Sequence, residues 1–383
     1  MQQTRKIIYF AGFLFSLSMA LMIYINSSFL SSFISKELVG LTFVLGSIFS
    51  IFALIISPSI FRKTGGHKFL LLVIALDAIS ILLCTLSNNP WVVSIAFIFG
   101  FALNTLIVFS LDELLKIFSK DSAIGSIRGA YLAICHVAFI LSQLISGTIL
   151  QYFSFKEIYT LAFFVMVLFF IFAFFTLKKT PDPKYDNLKA LQSVKEFFKN
   201  KNLFRAYGIN FLLQFFYCWM VIYTPIYLYN YVHFSWEEIG LIFSIMLLPF
   251  ILVPFHVGRY GDKVGERLML MSGFTIIAIA TVSVFFINNH KVWLWALILF
   301  STRVGAAIIE VMSDAYFFKH IKPENEEYVG IFRSITPLSY IVGPVIASMF
   351  FLFIPQFNFI YVILGAIMLF GIYLSSTIDK KDI

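Results

Sequence analysis

The sequence predicts an all-α membrane protein: twelve transmembrane helices folded as two pseudo-symmetric six-helix bundles. Three observations lead there. Apolar runs are too long and too many for a soluble core, cations are confined to alternate loops, and the chain resembles itself weakly at an offset of about 200 residues.

Of 383 residues, 60% are hydrophobic and 13% charged, with a mean hydropathy of +0.91. Soluble domains carry about 25% charged residues, so a soluble class is excluded. A hydrocarbon core takes ~20 apolar residues per helix. Such runs fall near 7–28, 38–61, 68–87, 91–111, 128–150, 157–177, 206–230, 238–257, 267–287, 292–318, 329–353 and 357–376. The first follows a short Arg5-Lys6 flank, as a signal peptide would. It is longer than a signal core and no small-residue cleavage site follows, so it is expected to stay as a membrane helix.

The formal charge of +8 raises the question of a nucleic-acid partner, and the placement of the cations answers it. Of 28 Lys and Arg, 24 lie at the termini and in the even-numbered loops, three (Lys36, Lys156, Lys291) in the odd loops, and Arg303 inside a span. By the positive-inside rule both termini are expected to be cytoplasmic, in a cell membrane, and no nucleic-acid partner is implied. Cys84, Cys135 and Cys218 all fall within spans, which leaves neither a disulfide framework nor paired zinc-ligand spacing. They read as packing residues, and no metal or other cofactor is expected.

The longest polar interruption, Lys178 to Arg205, separates an N-terminal half (1–177) from a C-terminal half (206–383). Within it Leu188, Leu191, Val194 and Phe198 recur at helical spacing among lysines. This linker (178–205) is expected to hold an amphipathic helix lying on the anionic leaflet, with a plain solvated tether as the alternative.

Across the linker the halves match collinearly. Ile23-Tyr24 corresponds to Ile222-Tyr223, "ELVGL" at 37–41 to "EEIGL" at 237–241, and Gly65 to Gly265. Asn88-Asn89 corresponds to Asn288-Asn289, and Asp112 to Asp314 after a two-residue slip. Two such halves, related by an axis along the membrane normal, form the parallel-repeat plan of many secondary transporters, with substrate bound between them near the midplane.

The stretch "GRYGDKVGER", 258–267, resembles the cytoplasmic signature of the major facilitator superfamily, Gly-x-x-x-Asp-Arg/Lys-x-Gly-Arg/Lys-Arg/Lys. Gly258, Asp262, Lys263, Gly265 and Arg267 match, and Glu266 stands where the family has a cation. In the equivalent loop after span two, "PSIFRKTGGHK", Lys63 and Gly65 match while Arg62 replaces the Asp. The resemblance extends to span count, linker position and orientation, and it implies an alternating-access transporter, monomeric by default. It also implies that Asp262 faces the positive N-terminal end of helix five near Arg128, as a cytoplasmic gate. The reading without a family is a tight turn at Gly265, with Asp262 as a turn residue.

A charge at the bilayer centre costs at least ~2.5–3.5 kcal/mol, so each intramembrane ionisable residue needs a reason. Helix ten supplies three on one face, Arg303, Glu310 and Asp314, seven and four residues apart. Gly305, Ala306 and Ala307 thin the helix beside Arg303 so that a neighbour can approach. The guanidinium fork suits a carboxylate or phosphate, and the alternative is a structural ion pair. Two carboxylates one turn apart in a poorly solvated site compete for a proton, which makes Glu310 the candidate proton carrier. Asp314 and its repeat counterpart Asp112 are expected to bond Arg333 and Arg128, at the starts of helices eleven and five, as part of the cytoplasmic gate.

The resemblance places helices one, four, seven and ten around a cavity. On that basis Asn210, Gln214 and Tyr217 of helix seven are candidate substrate ligands, with Asn104 of helix four as a facing partner; interhelical glue is the alternative. Asp77 in helix three reads first as a packing or structural hydrogen-bonding group and second as a coupling group. His136 in helix five, on one face with Gln143, reads first as a neutral core histidine and second as a titrating one. Gly343-Pro344 in helix eleven reads as a bend.

The function expected is secondary active transport of a small solute, coupled to protons through Glu310, with exchange of an anionic substrate around Arg303 as the alternative that needs no proton carrier. No G-x-x-x-x-G-K-[ST] loop is present to support ATP hydrolysis. Efflux of amphipathic compounds stays open, because the 48 Phe argue for it as Arg303 argues for an anion. A membrane-embedded transferase would need acidic or histidine residues gathered at an aqueous face, and the outer loops "SNNP", "NNHK" and "IPQFN" are short and nearly uncharged. A receptor or scaffold on a transporter fold would have no need of Arg303 and Glu310.

Overall fold

The computed structural model describes residues 2–117, 124–178, 190–287, 289–321, 327–354 and 356–378. Among them every regular element is helical. In chain order these are α1 (Gln2–Ile23), α2 (Asn26–Ser31), α3 (Lys36–Thr64), α4 (Gly66–Leu86), α5 (Pro90–Ile117), α6 (Ile124–Tyr152), α7 (Phe155–Thr176), α8 (Ala190–Lys199), α9 (Lys201–Asn230), α10 (Trp236–Leu247), α11 (Pro249–Leu252), α12 (Pro254–Val264), α13 (Glu266–Phe285), α14 (Val292–Lys319), α15 (Glu327–Arg333), α16 (Ile335–Phe353) and α17 (Phe359–Ser376).

Eleven of the described helical segments are long and apolar enough to cross a membrane. The segment expected as the eighth span is instead divided into α10, α11 and α12. Pro249 and Pro254 open the second and third pieces, where a residue without an N–H is tolerated because first-turn N–H groups have no helical acceptor.

The chain forms two compact units, Met1–Asp186 with Ser235–Ser244, and Asn187–Phe234 with Ile245–Ile383. In the first, α4 packs on α5 and α7, α1 on α6 and α7, and α3 on α5. Residues Ser235–Ser244 belong to this unit. Gly240 meets Gly147 of α6 so closely that a Cβ on Gly147 would stand 2.8 Å from Gly240 Cα. In the second unit α13 packs on α14 and α17, and α9 on α14, α16 and α17.

The repeat extends to the backbone. Gly65, between α3 and α4, has φ 81° and ψ 148°, and Gly265, between α12 and α13, has φ 87° and ψ 148°. This region is open essentially to glycine alone. The polar stretch expected as a turn is therefore mostly helix: α12 continues to Val264, and one residue makes the reversal. Once the chain leaves lipid, polar residues carry the helix on until a glycine breaks it.

Helix α8 forms within the expected linker, but its apolar face is not given wholly to lipid. Phe197 is 0% exposed and packs against Tyr207, Phe317 and Tyr328, with ring centroids 6.0, 6.3 and 5.5 Å away. Val194 and Phe198 remain exposed. Phe197 lies outside the expected stripe of Leu188, Leu191, Val194 and Phe198; Leu188 and the side chain of Leu191 lie outside the described residues.

Candidate functional site

The expected close approach at Gly305 is made by α13. A Cβ there would stand 2.6 Å from Gly273 O and 3.0 Å from Ile277 N. Backbone-to-backbone packing of this kind fixes α14 and leaves its opposite face, carrying Arg303, Glu310 and Asp314, toward α9 and its neighbours.

Arg303 is 1% exposed. Its Cζ lies 5.1 Å from the Phe216 ring centroid and 5.8 Å from that of Tyr217, within cation–π range. Among the described residues nothing accepts a hydrogen bond from its buried Nη1. Two turns along the helix, half-buried Glu310 accepts from the Tyr217 hydroxyl at 3.0 Å. Tyr217 thus joins the two, with its ring on the guanidinium and its hydroxyl on the carboxyl.

The other expected residues of α9 divide. Asn210 Nδ2 donates to Ser313 Oγ on α14 at 3.2 Å, beside the Glu310 turn. Gln214 turns to α16, where its Oε1 accepts from Thr336 Oγ1 at 3.2 Å. Asn104, expected to face this set, has its amide committed within the first unit, to Asp77 Oδ1 at 3.1 Å and Gly100 O at 2.8 Å. His136 lies 6.3 Å ring to ring from Phe139, while Gln143 donates to Ala20 O of α1 at 2.9 Å.

On the same face of α14, Asp314 Oδ2 lies 3.8 Å from Arg333 Nη2, with both side chains partly exposed. Lys319 Nζ lies 3.6 Å from Glu266 Oε1, which gives the acidic departure from the signature a cationic neighbour. Lys263 is exposed, Arg267 and Asp112 partly so. The side chains of Arg62, Arg128 and Asp262, and the surroundings of Gly258, lie outside the described residues. Phe216, Ser313 and Thr336 are partners the sequence does not announce. Phe216 gives no signal in a sequence with 48 Phe, because ring position over a cation is set by packing. Among the described residues no three of His, Cys, Asp and Glu gather to hold a metal ion.

The family model of the Major Facilitator Superfamily matches residues 8–237 and 219–381, and so spans both units. The chain belongs to the major facilitator superfamily. This member is a membrane transporter by family, not an enzyme. Among curated proteins none matches it. Solved structures share its fold at low identity. The nucleoside transporter NupG, solved as a point mutant, has a TM-score of 0.75 at 12% identity, over 97% of this chain and 98% of that one. The human organic anion transporter MFSD10 (TETRAN) has 0.71 at 15%, over 98% and 99%. A bacterial homolog of the human lysosomal transporter Spinster, inward-facing and unoccupied, has 0.70 at 12%, over 98% and 93%.

Proposed function

We propose that this superfamily member is a secondary active transporter of small organic anions, coupled to protons and working by alternating access. The observation that carries the substrate class is the buried Arg303 guanidinium, whose Nη1 has no acceptor among the described residues. A cation taken out of water without a counter-ion costs several kcal/mol. A carboxylate, sulfonate or phosphate on the substrate offsets that cost, bidentately where the fork is free. The rings of Phe216 and Tyr217 beside the guanidinium favour an anion with an apolar or aromatic body, which brings the anion and amphipath readings together. The substrate class in the name of the human organic anion transporter agrees with this reading, although a likeness at 15% identity carries fold alone.

Proton coupling is assigned to Glu310. Its carboxyl accepts a hydrogen bond from the Tyr217 hydroxyl, and that hydroxyl belongs to the ring beside Arg303. Anion arrival at Arg303 and proton exchange at Glu310 thus act on one side chain. Asn210 and Gln214 are proposed as polar ligands of the same site. His136 and Asn104 stay candidates within the first unit, where the Asn104 amide donates to Asp77.

The remaining assignments follow the family plan. Twelve helices form two six-helix bundles, 1–177 and 206–383, joined by the linker at 178–205. Both termini are cytoplasmic, the protein is a monomer, and it resides in the cell membrane. Asp314 with Arg333, Asp112 with Arg128, and the signature residues Gly258, Asp262, Lys263, Gly265 and Arg267 form the cytoplasmic gate.

A thermal-shift panel of organic anions, neutral metabolites and cationic amphipaths at two pH values tests the reading. Organic anions are expected to stabilise the wild type and to lose that effect in Arg303→Met, and the pH dependence is expected to vanish in Glu310→Gln. Stabilisation by cations or neutral amphipaths alone refutes the substrate class.

A further inference from the structure

Helix α4 carries a carboxyl that the proposed transport chemistry does not use. Asp77 is 0% exposed and sits mid-span. Its Oδ1 accepts from Asn104 Nδ2 at 3.1 Å, and the same amide donates to Gly100 O at 2.8 Å. The second bond fixes the orientation of the amide, because a backbone carbonyl can only accept. The neighbouring Ser80 hydroxyl donates to Ala96 O. Every donor in the cluster is thereby spent. Two buried acceptors are left, Asp77 Oδ2 and Asn104 Oδ1, neither with a partner among the described residues.

The cluster is one donor short, and a proton on Asp77 supplies it: the carboxyl gains an O–H to donate while Oδ1 still accepts from Asn104. The alternative is an ionised carboxylate sealed from water with no counter-charge, which buried groups avoid by neutralising. Among the described residues the surroundings offer no counter-charge. On α4, the Cys84 thiol is turned to Val93 O and His67 Nε2 lies 3.1 Å from Ala173 O. On α7, the Tyr159 hydroxyl is given to Asn26 Oδ1. On α5, Asp112 and Glu113 follow Asn104 by about two turns. On α3, Lys63 is exposed near the helix end. Among the described residues no Lys or Arg stands against Asp77.

A metal ion fits less well. Hard cations take about six or more oxygens, and the cluster has only its pair of free acceptors. A Cβ on Gly100 would already stand 2.9 Å from Ser80 Oγ and 3.5 Å from Asp77 Oδ1, so the space is filled.

We propose that Asp77, with Asn104, Gly100 and Ser80, forms a proton-binding site in the first unit, carried by different residues from the Glu310 site. The proposal does not depend on the anion reading. Infrared difference spectroscopy of the full-length protein in lipid reads it directly. A protonated-carboxyl C=O band at neutral pH is expected in the wild type and in Glu310→Gln, and its Asp77 part is expected to be lost in Asp77→Asn. Asn104→Leu is expected to shift that part, since the carbonyl loses its amide donor. Ionised-carboxylate bands assigned to Asp77 overturn the proposal, as does a sodium-induced thermal shift lost in Asp77→Asn, which assigns the cluster to a metal cation. Should Asp77→Asn fail to fold, Asn104→Leu decides alone, and a protonated-carboxyl region it leaves unmoved overturns the proposal.

Discussion

The Tyr217 hydroxyl donates to Glu310 Oε2 at 3.0 Å while its ring centroid lies 5.8 Å from Arg303 Cζ. One side chain therefore touches two of the ionisable residues that a membrane disfavours. Its two roles separate by mutation. Tyr217→Phe keeps the ring and loses the hydrogen bond, and is expected to cost about 1–3 kcal/mol. Tyr217→Leu loses the ring as well, and is expected to cost a further ~0.5–2 kcal/mol from the cation–π contact. Thermal unfolding of both variants in lipid checks the order; equal losses would leave the ring with no role at Arg303.

Arg303→Met removes a buried charge that has no acceptor at Nη1 among the described residues and leaves an apolar chain among Phe216 and Tyr217. The unliganded protein is expected to gain stability, by roughly 1–4 kcal/mol if it behaves as other buried charges replaced by apolar groups. The anion-dependent gain, about 2.7 kcal/mol at 100 times the dissociation constant in the wild type, is expected to disappear. The two effects have opposite signs in one variant. Loss of stability without ligand would mean that Arg303 holds the fold together instead of awaiting a partner.

Gly65 and Gly265 share a backbone conformation, φ 81° and 87° with ψ 148° in both, in a region that costs a side chain about 1–3 kcal/mol. Gly65→Ala and Gly265→Ala are each expected to destabilise by that amount, measured by thermal unfolding. A neutral Gly265→Ala would show that the reversal into α13 tolerates an ordinary turn.

The same two glycines mark how far the sequence can be read. Their match at an offset of about 200 residues is visible because only glycine suits the reversal, so the backbone requirement is written in residue identity. Intramembrane charges are legible for a similar reason: Arg303, Glu310 and Asp314 are costly enough in lipid that their presence announces a purpose. Their partners are not. Whether Phe216 or another of 48 Phe lies beside Arg303, or whether Asn104 turns to Asp77, depends on which helix faces meet. A single sequence without packing does not state that. Helix α12 shows a different limit: polarity marks the exit from lipid, whereas the helix itself ends only at Gly265.

Gly305 and Gly330 make a matched pair. A Cβ at Gly305 would press on Gly273 O at 2.6 Å and Ile277 N at 3.0 Å, backbone atoms of α13, whereas a Cβ at Gly330 meets nothing within 4 Å. Gly305→Ala is expected to cost about 1–3 kcal/mol, the range for overpacking. Gly330→Ala, inside α15, is expected to add about 0.5–1 kcal/mol by relieving the glycine's conformational entropy. Denaturation of the two variants beside the wild type tests the α13 contact without touching any ionisable group.

Phe197 is buried by Tyr207, Phe317 and Tyr328, so helix α8 is held to the second unit by an aromatic anchor rather than by lipid alone. Truncating a buried Phe costs about 3–5 kcal/mol where its pocket is well packed. In Phe197→Ala that loss is expected to fall first on the short helix, because ten residues are too few to be stably helical unsupported. Trypsin is then expected to cut at Lys195 and Lys199 faster than in the wild type, while the spanning helices stay protected. Phe198→Ala, at an exposed position of the same helix, is the control expected to change cleavage little in detergent. Equal protection of both variants in detergent would mean that the anchor does not hold α8, and unequal protection that vanishes on adding anionic lipid would return the helix to the membrane surface.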